Sequence, residues 1–198
     1  MSRTKLITLL ATFMLVLIGL AAYILTLDKT QKSVTTSALI GGDFTMVDHH
    51  GATVTQDSYK AFKTLIFFGF TNCPAVCPTE LANFATAIDE LGEEKTKNLK
   101  LLFVTIDPEY DTPERMKEYV EYFSDDFIGL TGSIDQVSKI AKAFRVYYAK
   151  VSDEDSALKY TMDHSAYTYL MDENNQYLTH ISPNSEVEDM VNKLKEHL

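Results

Sequence analysis

Cys73 and Cys77 are the only cysteines in the 198-residue chain, and they stand in the run Cys73-Pro74-Ala75-Val76-Cys77-Pro78. Two sulfurs with three residues between them can meet on a metal ion or close into a reversible disulfide. Both chemistries draw on thiolate. If the run is helical, positions i and i+4 share a face, and the helix N-terminus favours the charged sulfur. The redox thioredoxins place two residues between their cysteines, not three. A structural zinc site needs four ligands, and no second cysteine pair exists here. Two thiolates suit a soft ion, Cu(I) above all. An inert buried pair is the alternative.

A metal would take its third ligand from another part of the chain. The five histidines are His49, His50, His164, His180 and His197. His197 is at the C-terminus and reads as solvated. His49 and His50 occupy a turn, where a surface role is expected. His180 lies on a late strand of undefined face. His164 stands in Asp163-His164-Ser165, directly before an apolar stretch. By itself it reads as a structural histidine.

The elements that must carry these residues follow from periodicity. Thr64–Phe70 is a continuous apolar run, as expected of a strand buried on both faces, and Leu99–Ile106 is a second buried strand. Leu81, Phe84, Ala85, Ile88 and Leu91 recur at helical spacing, with Gly92 as the stop. Thr112 can cap a helix that begins with Pro113 and carries Met116, Tyr119, Val120 and Phe123. Ser133 and Gln136 form a capping box ahead of Val137, Ile140, Ala141 and Phe144; Ser185 and Glu188 form another before Val187, Met190, Val191 and Leu194. A hairpin is expected over Phe44–Val54, turning at His49-His50-Gly51. Further strands are expected over Val146–Val151, Ala166–Met171 and Tyr177–Ile181. The early strand–helix–strand units imply parallel strands with right-handed crossovers. This puts the cysteine run at the C-terminal end of a buried strand, where open α/β sheets build their sites. The order resembles an α/β thioredoxin-like fold, a central mixed sheet flanked by helices. In such folds the loop before the strand at Ala166 faces the cysteine helix.

Composition bounds the rest. A formal charge of −10 opposes binding to nucleic acid. No Gly-rich phosphate loop is present. Leu6–Leu27 carries no charge, and a helix of that length covers the hydrocarbon core of a bilayer. Gly19-Leu20-Ala21 offers small residues for a signal peptidase, but the apolar run continues beyond them, which favours an uncleaved anchor. Arg3 and Lys5 favour an inside N-terminus, opposed by Lys29 and Lys32. Only five residues precede the span, which leaves no room for a mitochondrial transit sequence. The expected organisation is a membrane anchor over residues 1–27, a polar linker over 28–39 and a domain over 40–198. The expected setting is a bacterial inner membrane crossed once, with the domain in the periplasm, where disulfides are permitted.

Three ordered blocks then carry a family resemblance. They are Phe68-Gly69-Phe70-Thr71-Asn72-Cys73-Pro74-Ala75-Val76-Cys77-Pro78-Thr79, Thr105-Ile106-Asp107-Pro108-Glu109-Tyr110-Asp111-Thr112-Pro113, and Asp163-His164-Ser165. The chain from Ile40 to Leu198 resembles the Sco/SenC family of copper-handling proteins. The resemblance implies one copper ion per chain, held by Cys73, Cys77 and His164. It implies a metallochaperone that assists assembly of the binuclear copper centre of cytochrome c oxidase, with that centre's subunit as partner and the copper donor undefined. Ala75 departs from the family, which commonly has an acidic residue there; no ligand is lost. Asp107 matches the family's aspartate and reads as a positioning residue or as a turn aspartate before Pro108. The alternative function is thiol–disulfide exchange, with Cys73 and Cys77 as a redox pair acting on cysteines of the oxidase copper subunit or another extracytoplasmic partner. A peroxide or redox sensor is a third, weaker reading.

Overall fold

The structure is a computed structural model that describes residues 13–17, 19 and 40–198. Residues 13–17 and 19 are helical, with Phe13, Met14, Leu15, Val16 and Leu17 exposed. Among the described residues, no helix is long and apolar enough to cross a membrane. Most of the expected span Leu6–Leu27, and the linker over 28–39, lie outside the described residues.

The domain is built on a seven-stranded mixed sheet. Its strands are β1 (Thr45–Asp48), β2 (Thr53–Thr55), β3 (Lys63–Gly69), β4 (Leu99–Thr105), β5 (Phe127–Thr131), β8 (Thr168–Met171) and β9 (Tyr177–Ile181), in the order β2-β1-β5-β4-β3-β8-β9. β3, β4 and β5 run parallel, with Phe67 beside Phe103 and Gly69 beside Thr105. The flanking pairs are antiparallel. A separate two-stranded sheet joins β6 (Tyr148–Ser152) to β7 (Tyr160–His164). The helices are α1 (Val76–Leu91), the short α2 (Glu93–Thr96), α3 (Pro113–Glu121), α4 (Ile134–Ala143) and α5 (Val187–Lys195).

The continuous apolar runs of β3 and β4 are explained by two cores, because alternate side chains of a strand leave on opposite faces. Leu65, Phe67, Leu101 and Phe103 pack with Leu81 and Phe84 of α1, Met116 and Val120 of α3, and Met190 and Leu194 of α5. Ile66, Phe68, Phe70, Leu102 and Val104 pack on the other side with Val137 and Ile140 of α4 and with Phe144. The central strands are thereby rigid, and their C-terminal ends form a fixed rim.

Helix ends follow the sequence closely. The Thr112 hydroxyl accepts from the Arg115 N–H, Pro113 opens α3, and the Ser133–Gln136 capping box is formed. Gly92 ends α1 with a φ of 80°, a conformation that costs other residues more. The box expected at Ser185 and Glu188 is not formed. Glu186 is the N-cap of α5 and makes no side-chain cap bond, while the Ser185 hydroxyl donates to the Ser182 carbonyl. The reason is local: the serine hydroxyl finds its own turn first. β5 and β7 are additional to the expected strands.

The hairpin turn also differs from expectation at His49. Asp48 Oδ1 accepts from the N–H groups of His50 and Ala52, which closes the turn. His49 is then buried, and its Nδ1 accepts from the N–H of Gly129 at 2.9 Å, so it pins the hairpin to β5. Burial holds the His49 pKa below the ordinary value, with His50 adding to the effect and Asp48 and Glu121 opposing it. In the unfolded chain the imidazole takes a proton near pH 6.5; in the fold it does so only at lower pH. The unfolded chain thus binds more protons below about pH 6.5, and stability is lost as the pH falls into that window. Denaturant unfolding is expected to show this decline in the native chain and a flatter profile in His49→Gln. The same slope in both would contradict the role of His49.

Candidate metal centre

The cysteine run begins where β3 ends. Gly69 closes the strand, and close approach requires the glycine: a Cβ there would lie 2.7 Å from Cys77 Sγ and 2.6 Å from Cε2 of Phe103. The chain then turns, with the Phe70 carbonyl accepting from the Cys73 N–H. Cys73 precedes a proline and is driven away from helical backbone. It stands ahead of α1, and Cys77 lies in the first helical turn. Pro78 is tolerated beside it because N–H groups of a first turn have no helical partner. The expectation of two cysteines on one helical face is therefore corrected: one sulfur belongs to the loop and the other to the helix.

This arrangement makes the two thiols unequal. Ala75 occupies the N-cap and supplies no side-chain acceptor. The Cys73 sulfur takes that place and accepts the Cys77 N–H at 3.4 Å. A hydrogen bond from the Cys77 thiol lowers the Cys73 pKa to about 5, aided by the N–H groups of Cys77, Ala75 and Val76 and opposed by burial. Cys77 is fully buried. Its bond to Cys73, burial and the adjacent negative sulfur all raise its pKa. Cys73 is half-buried and packs against both cores, at the seam above the strand ends. Both cysteines are free thiols.

Asp111, not singled out from the sequence, fixes the loop. It is fully buried, and its carboxylate accepts from the N–H and hydroxyl of Thr71 and from the hydroxyl of Thr105 at 2.6 Å. Its carbonyl accepts from the Thr131 hydroxyl at 2.7 Å. Burial raises its pKa, and the three side-chain and backbone bonds oppose that shift. The signal available in the sequence was an aspartate shortly after the end of a buried strand, in the same block as Asp107.

Asp107 is a turn aspartate, and its side chain has a partner of its own. Its carbonyl accepts from the N–H groups of Tyr110 and Asp111, as in a turn. Its buried carboxylate accepts from the Tyr160 hydroxyl at 2.7 Å. His164 is the last residue of β7, not a loop residue. Its ring stands edge-on to Phe70, with centroids 6.2 Å apart, and its Nδ1 lies 3.1 Å from the Ser165 carbonyl. Donation from Nδ1 to that oxygen leaves Nε2 with its lone pair. Among the described residues, no three His, Cys, Asp or Glu side chains converge closely enough to hold a metal ion. The cysteines are brought together; His164 is placed on the aromatic wall of the loop that carries them. His180 is turned to Tyr177 and Tyr167, and His49 to Gly129.

A mixed sheet with a cysteine pair at the strand-to-helix junction defines the thioredoxin-like class. A family model described as SCO1/SenC matches residues 32–198. A SCO2-like protein of Rickettsia conorii is 41% identical over 156 residues, covering 79% of this chain and 76% of the relative. The structure of Arabidopsis thaliana ScoI with copper bound superposes with a TM-score of 0.75 at 37% identity, covering 79% of this chain and 97% of that one. Yeast Sco1 with copper bound gives 0.73 at 34% identity, over 80% and 87% of the two chains. The chain belongs to the SCO1/SenC family.

The inequality of the thiols is open to direct measurement. Alkylation of Cys73 in the reduced chain is expected to reach half its limiting rate near pH 5, with Cys77 protected throughout the range in which Cys73 reacts. Parallel labelling of both residues, with the ordinary thiol midpoint near pH 8.5, would contradict the geometry.

Proposed function

We propose that this chain is a copper metallochaperone, holding one copper ion through Cys73, Cys77 and His164 and assisting assembly of the binuclear copper centre of cytochrome c oxidase. The observation that carries the reading is the loop-and-helix cysteine pair, one sulfur half-exposed and poised as thiolate, the other buried beside it. Copper is the cargo. A thiolate at Cys73 gives the incoming ion its first soft ligand. Binding then displaces the Cys77 proton, since a metal competes with protons for sulfur. His164 supplies a neutral imidazole from the facing hairpin, which suits both copper oxidation states. Displacement of that ligand opens the site to the copper-centre subunit. Relatives solved with copper bound, among them the Arabidopsis and yeast proteins, support the choice of metal.

The proposed setting is the outer face of a bacterial inner membrane, with Leu6–Leu27 as anchor and residues 28–39 as tether. The exposed apolar side chains of residues 13–17 support an anchor.

A second reading rests on the same inequality. The Cys73 thiolate can attack a disulfide of the partner, forming a mixed disulfide and releasing one partner thiolate. Cys77, once deprotonated, then attacks Cys73; a Cys73–Cys77 disulfide forms and the second partner thiol leaves reduced. The two activities are compatible, because reduced cysteines on the oxidase subunit are ready to take copper.

Titration of the full chain separates the readings. The reduced chain is expected to bind one copper and the disulfide form none; equal uptake by both forms would refute thiolate ligation. His164→Ala is expected to impair copper binding, most of all Cu(II), and to leave the rate of disulfide reduction nearly unchanged. Unchanged affinity for both copper states in His164→Ala would remove His164 from the ligand set. An equal fall in copper binding and in exchange would merge the two functions in one activated site.

A further inference from the structure

The geometry points to Asp107 and Tyr160 as the pair that positions His164 toward the cysteines, an inference that rests on the copper reading above. His164 does not belong to the main sheet. It ends β7, which pairs only with β6, in a hairpin separate from the seven-stranded sheet. No ladder of backbone hydrogen bonds therefore sets the placement of His164 relative to Cys73 and Cys77. Side-chain contacts add to the short connection from Ser165 to β8 in setting it.

Tyr160, Met162 and His164 alternate along β7 and leave on one face, since strand side chains repeat every second residue. Met162 is buried in the core that also holds Phe70. That face is therefore the inner one. The strand is held at both ends. At one end the Tyr160 hydroxyl donates to Asp107 Oδ2 at 2.7 Å, and at the other the His164 ring stands against Phe70. The two ends are about 13 Å apart, four residues at strand rise.

Asp107 is a firm anchor for this span. It lies two residues past the end of β4, its N–H donates to the Thr105 hydroxyl at 2.9 Å, and that hydroxyl in turn donates to Asp111. Asp111 holds Thr71, two residues before Cys73. One connected set of hydrogen bonds thus runs from the cysteine loop, through Asp111, Thr105 and Asp107, to the strand that carries His164. Lys150 of β6 closes the anchor from outside. Its Nζ is 4.1 Å from the Tyr160 ring centroid, 3.8 Å from Asp107 Oδ1 and 3.0 Å from Glu109 Oε2. Groups bonded directly to a metal ligand commonly change affinity ten- to a hundredfold when removed, and an anchor one strand-length away acts at the lower end of that range.

The test uses the full-length reduced chain carrying Tyr160→Phe, Asp107→Ala or Asp107→Asn. Tyr160→Phe keeps the ring and deletes only the donor; Asp107→Asn keeps an acceptor. Copper affinity is expected to fall about tenfold in Tyr160→Phe and Asp107→Ala, with altered Cu(II) electron paramagnetic resonance parameters, and to stay near the native value in Asp107→Asn. The alkylation profile of Cys73 should not move in any of them. Native affinity and an unchanged Cu(II) spectrum in Tyr160→Phe, alongside a defective His164→Ala, would overturn the positioning role and leave the ligand set standing. If His164→Ala itself binds copper normally, the ligand set fails. The positioning role is then decided by the His164 imidazole resonances of the metal-free chain: a shift in Tyr160→Phe upholds it, and identical resonances overturn it.

Discussion

Asp111, through its buried carboxylate and its carbonyl, ties together three stretches that chain order keeps apart. It accepts from Thr71 in the cysteine loop and from Thr105 at the end of β4, and its backbone carbonyl holds Thr131 at the end of β5. A buried carboxylate with missing partners is costly, so these bonds are held as a set. The parallel strands supply the fixed points: β3, β4 and β5 end together because their registers are locked by packing on both faces. The loop is consequently not free to drift from the rim. Cys73 stays where the first N–H groups of α1 reach it, and Cys77 stays over Gly69.

From that constraint the division of labour in the site follows. Cys73 takes the position of a helix cap, and its charge is stabilised by the backbone donors that a cap side chain would otherwise satisfy. Cys77 is fully buried, and its bond to Cys73 and its burial favour the protonated thiol. The third group is carried on a different kind of element. His164 ends a small hairpin whose placement depends on side chains, above all Asp107, Tyr160 and Met162. Under the proposed copper reading, two sulfurs sit on a rigid rim and the imidazole on a separate hairpin tied to that rim by side-chain hydrogen bonds.

Much of this was legible in the sequence, and the omissions have physical causes. The apolar runs of β3 and β4, the caps at Thr112 and Ser133, and the stop at Gly92 depend on neighbours in the chain, so they could be read locally. The family resemblance was legible from three short blocks. The inequality of Cys73 and Cys77 was not, although Pro74 was its sign, since the residue before a proline avoids helix. β5 gives little local signal because Gly129 interrupts a short run; a Cβ there would lie 3.0 Å from Met116. The burial of His49 leaves no local signal because its partner, Gly129, is eighty residues away. The hairpin of β6 and β7 was legible only in part, since its connection from Asp153 to Lys159 is polar and gives no periodic signal.

X-ray absorption at the copper edge of the loaded, full-length chain bears most directly on the central claim. The account predicts two sulfur neighbours and one imidazole nitrogen, with the imidazole signature lost in His164→Ala and the two sulfurs retained. A shell of nitrogen and oxygen without sulfur, or an imidazole that persists in His164→Ala, would contradict it.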